Sequence, residues 1–200
     1  MKKIITISRE FGAGGGEIGE RLAKALGYEC YNKELILKAA AKSNVDVQSM
    51  VKWDEKVPVE FGVGQSLFEF YNRPLSETLF EAQKNVIREF GEKGNCVIIG
   101  RNGNQILKEY DKCLHVFIHA DPYWRLKRMK RKMPNVPEGK LSEEIRTIDK
   151  MRKKYCTFYT NTEFGKAEYY DISLNTSRIG VENCLKILIG LAKEDGTYTL

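Results

Sequence analysis

The sequence has few of the features that mark exported, membrane or metal-binding proteins. Its five cysteines are widely spaced and include no Cys-x-x-Cys pair, which argues against a disulfide framework and a zinc site and indicates reduced thiols. Its longest apolar runs are only strand-sized, and the N-terminal MKKIITIS enters a strand without the apolar segment of a signal peptide. We therefore expect a cytoplasmic protein that does not bind to or cross a membrane.

Histidine is also scarce. The two histidines, His115 and His119, lie four residues apart in a predicted strand, and strand geometry separates them by about 13 Å. That distance is too long for both to bind one metal ion. We predict no metal site formed by protein side chains.

The chain does contain a regular alternation of strand-like and helix-like segments. With 200 residues it is long enough for one domain, 1–200, with its own core. The strands are apolar nearly throughout, which predicts a parallel sheet covered by helices on both faces. The predicted strands are 3–8, 28–32, 95–100, 113–120 and 169–177. The predicted helices are 16–26, 34–42, 47–53, 76–90 with a Ser76 N-cap, 121–132 opened by Asp121 and Pro122, 142–158 beginning at Ser142, and 181–193.

A glycine-rich stretch, SREFGAGGGEIGE, lies between the first predicted strand and the first predicted helix. Gly14, Gly16 and Gly19 match the Gly-x-Gly-x-x-Gly fingerprint of dinucleotide binding. In that motif the strand runs almost directly into the first glycine, whereas residues 8–13 intervene here. A loop of this length better fits a phosphate-binding loop, whose backbone amides surround a phosphate before the helix begins. A structural tight turn is the third possibility.

The loop departs from the formal phosphate-loop pattern Gly-x-x-x-x-Gly-Lys-Ser/Thr. In the best register Gly14 is the second glycine, Gly15 stands at the lysine and Gly16 stands at the hydroxyl residue. The side chains that bridge the terminal phosphates and hold magnesium are therefore missing. Arg9 is the nearest candidate to supply the charge, although a guanidinium would grip the phosphates from another angle than an ammonium. We hypothesise that Arg9 is catalytic.

Positive charge is concentrated in one segment of the chain. From Arg125 to Lys154 there are twelve basic and four acidic residues, which favours an anionic partner. Arg125, Arg128 and Lys132 recur at i, i+3 and i+7 and so share one helical face. Arg152 lies in the next predicted helix, so a hairpin over 121–160 could direct arginines onto one polyphosphate as a lid. A solvated basic surface is the alternative.

A further arginine follows a buried strand. The segment VIIGRNG places Arg101 and Asn102 just past the strand's carboxyl end. Open α/β sheets bind their ligands at that edge. The alternative is a surface arginine on a turn.

Together these segments resemble the cytidylate kinase-like family of P-loop nucleoside monophosphate kinases, over nearly the whole chain. GAGGG is similar to the family's GAGKG loop, and VIIGRNG to its apolar strand followed by Gly-Arg-Asp. VFIHADPYWRLKR resembles its strand and lid-opening helix, and YYDISLNTS its final strand. The resemblance implies a three-layer α/β P-loop kinase fold, with a parallel sheet of about five strands, helices on both faces and a helical lid at 121–160.

The resemblance also implies roles for the donor side and the lid. Arg125, Arg128 and Arg152 would line the lid. Magnesium would be held mainly by the substrate phosphates, with Ser8 or Glu17 nearby. The residues implied to bind the phosphates of donor ATP are Gly12, Ala13, Gly14, Gly15, Gly16 and Glu17.

On the acceptor side the resemblance implies that Arg101 holds the α-phosphate of the acceptor, next to Asn102. Asn102 and Asn32 stand where the family commonly has aspartate, which leaves the cytidine specificity open. The acceptor-binding arm would cover residues 32–75.

We therefore expect ATP-dependent phosphoryl transfer to a nucleoside monophosphate, cytidylate-like, or to a related small phosphorylated acceptor. One alternative is a nucleotide-binding regulatory protein that lost catalysis along with the lysine, and a second is an NAD-binding protein. Nucleic acid is disfavoured as a partner because the basic helices carry few interleaved aromatic residues. The expected partners are small-molecule nucleotides, and the oligomeric state stays open.

Overall fold

The structure is a computed structural model that describes residues 3–41 and 67–193. Its strands are all parallel and form one sheet in the described part of the chain. They are β1 (Ile4–Arg9), β2 (Glu29–Tyr31), β3 (Cys96–Ile99), β4 (Cys113–His119) and β5 (Ile172–Asn175). Their order is β2-β3-β1-β4-β5, which puts β1 at the centre. The predicted five-stranded parallel sheet is confirmed.

Helices cover both faces of this sheet. They are α1 (Gly15–Leu26), α2 (Lys33–Ala41), α3 (Leu67–Lys93), α4 (Gly103–Ile106), α5 (Pro122–Lys132), α6 (Glu138–Thr160), α7 (Thr176–Ile179) and α8 (Val181–Lys193). None of these described helices has the length and apolar character that crossing a membrane requires.

The core has two halves because successive residues of a strand point to opposite faces. Ile5 and Ile7 of β1 pack in one cluster with Leu22 of α1 and Leu188 of α8. On the other face Ile4 packs in a second cluster to which α2 and α3 contribute. Both faces are buried, which explains why the strands are apolar at consecutive positions. The result is the predicted three-layer α/β arrangement.

The helices α5 and α6 form a hairpin at the carboxyl edge of the sheet. Asp121 caps α5 as predicted, since its side chain accepts hydrogen bonds from the amides of Tyr123 and Trp124 at 2.9 and 3.2 Å. A small apolar cluster that includes Met129, Leu141 and Ile145 holds the two helices together. Residues of this hairpin also pack against the glycine-rich loop.

Two predicted helix starts are wrong. Ser76 lies inside α3, which begins at Leu67, and Ser142 lies inside α6, which begins at Glu138. A serine N-cap stabilises the start of a helix by only about 1 kcal/mol, so a helix can begin at an earlier residue and continue through the serine. In α6 the amide of Leu141 already bonds to the carbonyl of Pro137 at 3.1 Å.

The remaining points of comparison concern two predicted segments and two short helices. The predicted helix at 47–53 and much of the predicted arm at 32–75 lie outside the described residues. The short helices α4 and α7, of four residues each, were not predicted. They follow β3 and β5 directly, and segments of one turn are too short for a periodic pattern to reveal.

Candidate active site

The glycine-rich loop between β1 and α1 has the backbone of an anion-binding site. Gly12 and Gly14 have φ values of 80° and 93°, in the left-handed region that favours glycine. The helix α1 begins at Gly15, so the amides of Gly15, Gly16 and Glu17 belong to its first turn. First-turn amides have no intrahelical partner, and the helix dipole adds positive potential there. The loop can therefore bind a phosphate through its backbone.

The loop is fixed by contacts from distant parts of the chain. The hydroxyl of Thr176 in α7 donates to the carbonyl of Ala13 at 2.7 Å. A methyl group placed on Gly12 would lie 3.1 Å from Cγ of Met129 and 3.3 Å from Cβ of Arg125. The helix α5 thus packs directly on the loop, and only glycine leaves room for it.

The sheet topology separates two interpretations of the glycine pattern. In the dinucleotide-binding fold the strand order is 3-2-1-4-5-6, so the first strand lies next to the second. Here β3 lies between β1 and β2, and residues 10–14 separate β1 from α1. Both features favour a phosphate loop over an NAD site.

An open cleft lies beside the loop at the carboxyl ends of β1 and β3. Its lining residues include four cations, and no aspartate, glutamate or histidine lines it among the described residues. The lining consists of Ser8, Arg9, Lys33, Ile99, Gly100, Arg101, Asn102, Arg152, Tyr155 and Phe164. A surface of this charge is suited to a phosphorylated ligand.

Arg101 and Asn102 stand on a strained turn at this cleft. Gly100, Arg101 and Asn102 have φ values of 81°, 57° and 53°, and positive φ is uncommon for residues other than glycine. Both side chains are buried, and the guanidinium carbon of Arg101 lies 5.6 Å from the ring centre of Tyr155. Strained backbone of this kind clusters at functional sites. The turn places a buried arginine and a buried amide side by side in the lining of the cleft.

Arg9 follows an unusual path between the loop and the cleft. A methyl group placed on Gly15 would lie 2.6 Å from its Cβ, and one placed on Gly100 would lie 2.0 Å from its Nη1. The side chain therefore runs from the start of α1 to the end of β3. Its carbonyl accepts a hydrogen bond from Nη1 of Arg152 at 2.9 Å, so the two arginines meet at the cleft.

Arg125 is buried behind the loop and does not line the cleft. It forms an ion pair with Asp149 of α6 and donates to the carbonyl of Phe11 at 3.0 Å. Asp149 also accepts from the amide of Phe11 at 2.7 Å, and Glu10 lies 3.6 Å from Nε of Arg125. These contacts join α5, α6 and the loop. Arg125 therefore has a structural role at this junction. That it also contacts a substrate stays a prediction.

Arg128 lies over the loop itself. A methyl group placed on Gly14 would be 3.6 Å from its Nη2. The same nitrogen is 2.5 Å from Oε2 of Glu17, and Lys132 is 3.7 Å from that oxygen. Of the predicted lid arginines, Arg128 is thus close to the first-turn amides and paired with a carboxylate of that turn. Arg152 lies on the cleft side, with its guanidinium carbon 5.8 Å from the ring centre of Phe11.

Comparisons with known proteins identify the family of this chain. Residues 4–178 match the cytidylate kinase-like family. The chain belongs to the cytidylate kinase-like family. A cytidylate kinase from Chlamydia muridarum is 25% identical over 177 aligned residues, covering 73% of this chain and 77% of that protein.

Solved structures show the same fold in other proteins. An uncharacterized protein from Eubacterium ventriosum has a TM-score of 0.74 and 25% identity, with 96% of this chain and 98% of that chain covered. A shikimate kinase from Bacteroides thetaiotaomicron has a TM-score of 0.51 and 15% identity at the same coverage. The fold is thus a P-loop kinase-like fold, and family membership indicates a nucleotide kinase-like role.

Asn32 and Lys33 lie at the start of the segment that follows β2. The side chain of Asn32 accepts a hydrogen bond from the amide of Leu35 at 3.1 Å, as a cap of α2 does. Its predicted contact with the acceptor stays a prediction. Lys33, which sequence reasoning missed, lines the cleft. Its position directly after β2, at the sheet edge where such folds bind ligands, was the available signal.

Burial also affects two polar groups, the phenol of Tyr170 and the side-chain amide of Asn102. Burial raises the pKa of Tyr170, while its hydrogen bond to Ser8 lowers the pKa in part, so the phenol stays protonated at neutral pH. The amide nitrogen of Asn102 is buried and makes no hydrogen bond within the described residues. A buried donor without a partner carries an energetic penalty that a ligand oxygen can remove.

Proposed function

We propose that this protein transfers a phosphoryl group from ATP to a nucleoside monophosphate, cytidylate-like, or to a related small phosphorylated acceptor. One observation carries the proposal: a backbone anion site and a cleft with four cations lie side by side, with the side chain of Arg9 passing between them. Two phosphorylated substrates bound in this way would bring donor and acceptor phosphates together.

The loop supports the donor role. The amides of the first turn of α1 would bind the phosphates of ATP, and Arg128 lies close enough to the loop to add positive charge. Arg125 would act as a positioning residue, because its ion pair with Asp149 holds α5 and α6 against the loop.

The cleft supports a phosphorylated acceptor in preference to an alcohol. A hydroxyl nucleophile needs a base such as the catalytic aspartate of protein kinases. Among the described residues that line the cleft, none is a carboxylate or an imidazole. A phosphate monoester has a second pKa of about 6 and is already largely a dianion at neutral pH, so it needs no base. Arg101, Lys33 and Arg152 would hold it.

The reaction then needs no proton transfer by the protein. An oxygen of the acceptor phosphate attacks the γ-phosphorus of ATP, the bond from that phosphorus to the β–γ bridging oxygen breaks, and ADP leaves with the electron pair. Charge is spread over the transferring group in this transition state. Arginines in a site that excludes water stabilise that charge.

Magnesium fits this site mainly through the substrates. Gly16 has no hydroxyl at the position where phosphate loops hold the ion, and the carboxylate of Glu17 is paired with Arg128. Mg²⁺ often keeps several waters and binds substrate phosphates directly, which suits a site with few protein ligands. Bound magnesium would neutralise phosphate charge, and Ser8 of β1 supplies a hydroxyl in the lining of the cleft.

A regulatory nucleotide-binding protein is the second candidate. The glycines at positions 15 and 16 favour it, because the loop carries neither the lysine nor the hydroxyl of a typical phosphate loop. Such a protein would bind ATP in the same loop without turnover.

An assay of ADP release with ATP, Mg²⁺ and a panel of ribo- and deoxyribonucleoside monophosphates tests the proposal. We expect turnover with one or a few monophosphates and none with the matching nucleosides. Arg101→Ala should lower kcat/KM for the acceptor by about 10²–10³-fold. Arg88→Ala, at an exposed position on α3, is the matched control and should change nothing. Tight ATP binding without release from any acceptor would instead favour the regulatory candidate.

A further inference from the structure

Gly15 stands at the position of the phosphate-loop lysine, and its surroundings explain why it carries no side chain. A Cβ at Gly15 would lie 2.6 Å from Cβ and 3.0 Å from Cγ of Arg9, and 3.3 Å from Cβ of Ile118. Two of these atoms, Cβ of Arg9 and Cβ of Ile118, are bonded directly to the backbone and cannot move aside unless β1 or β4 moves. The space that a lysine stem would need is occupied by the stem of Arg9.

The far end of Arg9 needs a second glycine. A Cβ at Gly100 would lie 2.0 Å from Nη1 and 3.1 Å from Cζ of Arg9. Gly100 follows β3 and also lines the cleft with Arg101 and Lys33. Two glycines that are 85 residues apart in sequence therefore leave room for one arginine, at its stem and at its guanidinium.

We infer that Arg9 replaces the phosphate-loop lysine of this kinase-like site, and that an arginine at position 9 and a side chain at position 15 exclude each other. The inference rests on the proposed function and adds the group that would contact the transferring phosphoryl. A lysine at position 15 starts on α1, beside the donor phosphates. Arg9 starts on β1 and ends beside Gly100, on the acceptor side of the site.

The chemistry of the guanidinium suits that position. It is planar, stays charged and can donate two parallel hydrogen bonds to phosphate oxygens. At the border between loop and cleft these donors can contact the transferring group and the acceptor phosphate together. Lysine is a point charge and would not span both.

Five proteins test the inference: wild type, Arg9→Ala, Arg9→Gly, Gly15→Lys and the double variant of Arg9→Gly with Gly15→Lys. The measurements are the melting temperature, the dissociation constant of a non-hydrolysable ATP analogue with Mg²⁺, and turnover with the best acceptor. Gly15→Lys alone should destabilise the fold or prevent folding. Arg9→Ala should fold, should bind the analogue at least tenfold more weakly, and should lower turnover by about 10²–10³-fold.

The double variant of Arg9→Gly with Gly15→Lys should melt closer to wild type than Gly15→Lys and regain at least tenfold of the lost affinity and turnover, because glycine at position 9 removes the two atoms that lie within 3.0 Å of a Cβ at position 15. Gly16→Ala is the matched steric control, since nothing lies within 4 Å of a Cβ at that position. It should be tolerated with Arg9 present, whereas Gly15→Ala should be tolerated only with Gly at position 9, because alanine keeps the Cβ that lies 2.6 Å away.

Two results would overturn the inference. One is an Arg9→Ala protein whose analogue affinity and turnover stay within threefold of wild type. The other is a Gly15→Ala substitution that lowers the melting temperature equally with Arg or Gly at position 9. A wild type without turnover refutes the proposed function but leaves both the steric and the affinity comparison decisive for Arg9.

Discussion

The ion pair between Arg125 and Asp149 is the contact whose loss should most affect the docking of the helical hairpin on the loop. The two side chains are 7% and 12% exposed, so neither charge is well solvated. Asp149→Ala removes the partner of Arg125 and the acceptor for the amide of Phe11, which now bonds at 2.7 Å. Arg125 would keep its contacts with Glu10 and the carbonyl of Phe11 but lose its closest carboxylate, and the amide of Phe11 would lose its acceptor.

The size of this effect follows from the burial. Removing one partner of a buried ion pair destabilises proteins by about 3–5 kcal/mol. For a domain of this size each kcal/mol lowers the melting temperature by about 2–4 °C, so we expect a decrease of about 6–20 °C. Urea unfolding at neutral pH gives the free energy, and amide exchange in α5 and α6 shows whether the hairpin opens first.

Two further variants make the test specific. The ion pair of Lys84 with Glu81 is the more exposed control. Its side chains are 27% and 56% exposed, so Glu81→Ala should lower the free energy of unfolding by less than about 1 kcal/mol. The double variant Arg125→Met with Asp149→Leu removes both charges of the pair and should recover part of the loss, because the amide and the carbonyl of Phe11 still lack their side-chain partners. An Asp149→Ala protein no less stable than Glu81→Ala would refute the reasoning.

Three further predictions concern the loop, the cap of α2 and a buried thiol. Glu17→Gln should release Arg128 from its 2.5 Å ion pair and strengthen binding of an ATP analogue several-fold in calorimetry at low salt; the same substitution at exposed Glu20 should not. Asn32→Ala should lower the free energy of unfolding by about 1 kcal/mol through loss of a cap, and Asn32→Asp should restore it. Burial raises the pKa of Cys96 from 9.0 to about 12, so the folded thiol stays neutral while the unfolded one ionises. Stability should therefore fall between pH 9 and 12 by up to about 1.4 kcal/mol per pH unit, and Cys96→Ala should show a flatter slope in alkaline urea titrations.

The sequence was informative wherever the deciding forces were local. The apolar runs of β1 and β4 predicted buried parallel strands, and the Asp121-Pro122 pair predicted the start of α5 within a residue. Ser76 misled because a cap preference is weak and a helix can continue through it. The sequence showed that Gly15 and Gly16 depart from the phosphate-loop pattern, but it did not explain why these positions carry no side chain.

The candidate site was harder to predict because its parts come from remote segments. Lys33 follows β2, yet only the sheet order shows that β2 borders β3 and brings this lysine to Arg101. Arg125 was predicted on the substrate-facing surface of a lid. Its pairing with Asp149 depends on how α5 packs against α6, which helical periodicity does not specify.

By itself the sequence determined the alternation of elements, the glycine-rich turn before α1 and the arginine-rich segment, because these depend on backbone preferences and on residues close along the chain. Only the tertiary structure decided which cations share the cleft and why Gly15 has no side chain. The stem of Arg9 occupies that space, and its guanidinium ends beside Gly100, far away in sequence. Exclusion of one side chain by another is a property of packed atoms in three dimensions, and no spacing along the chain encodes it.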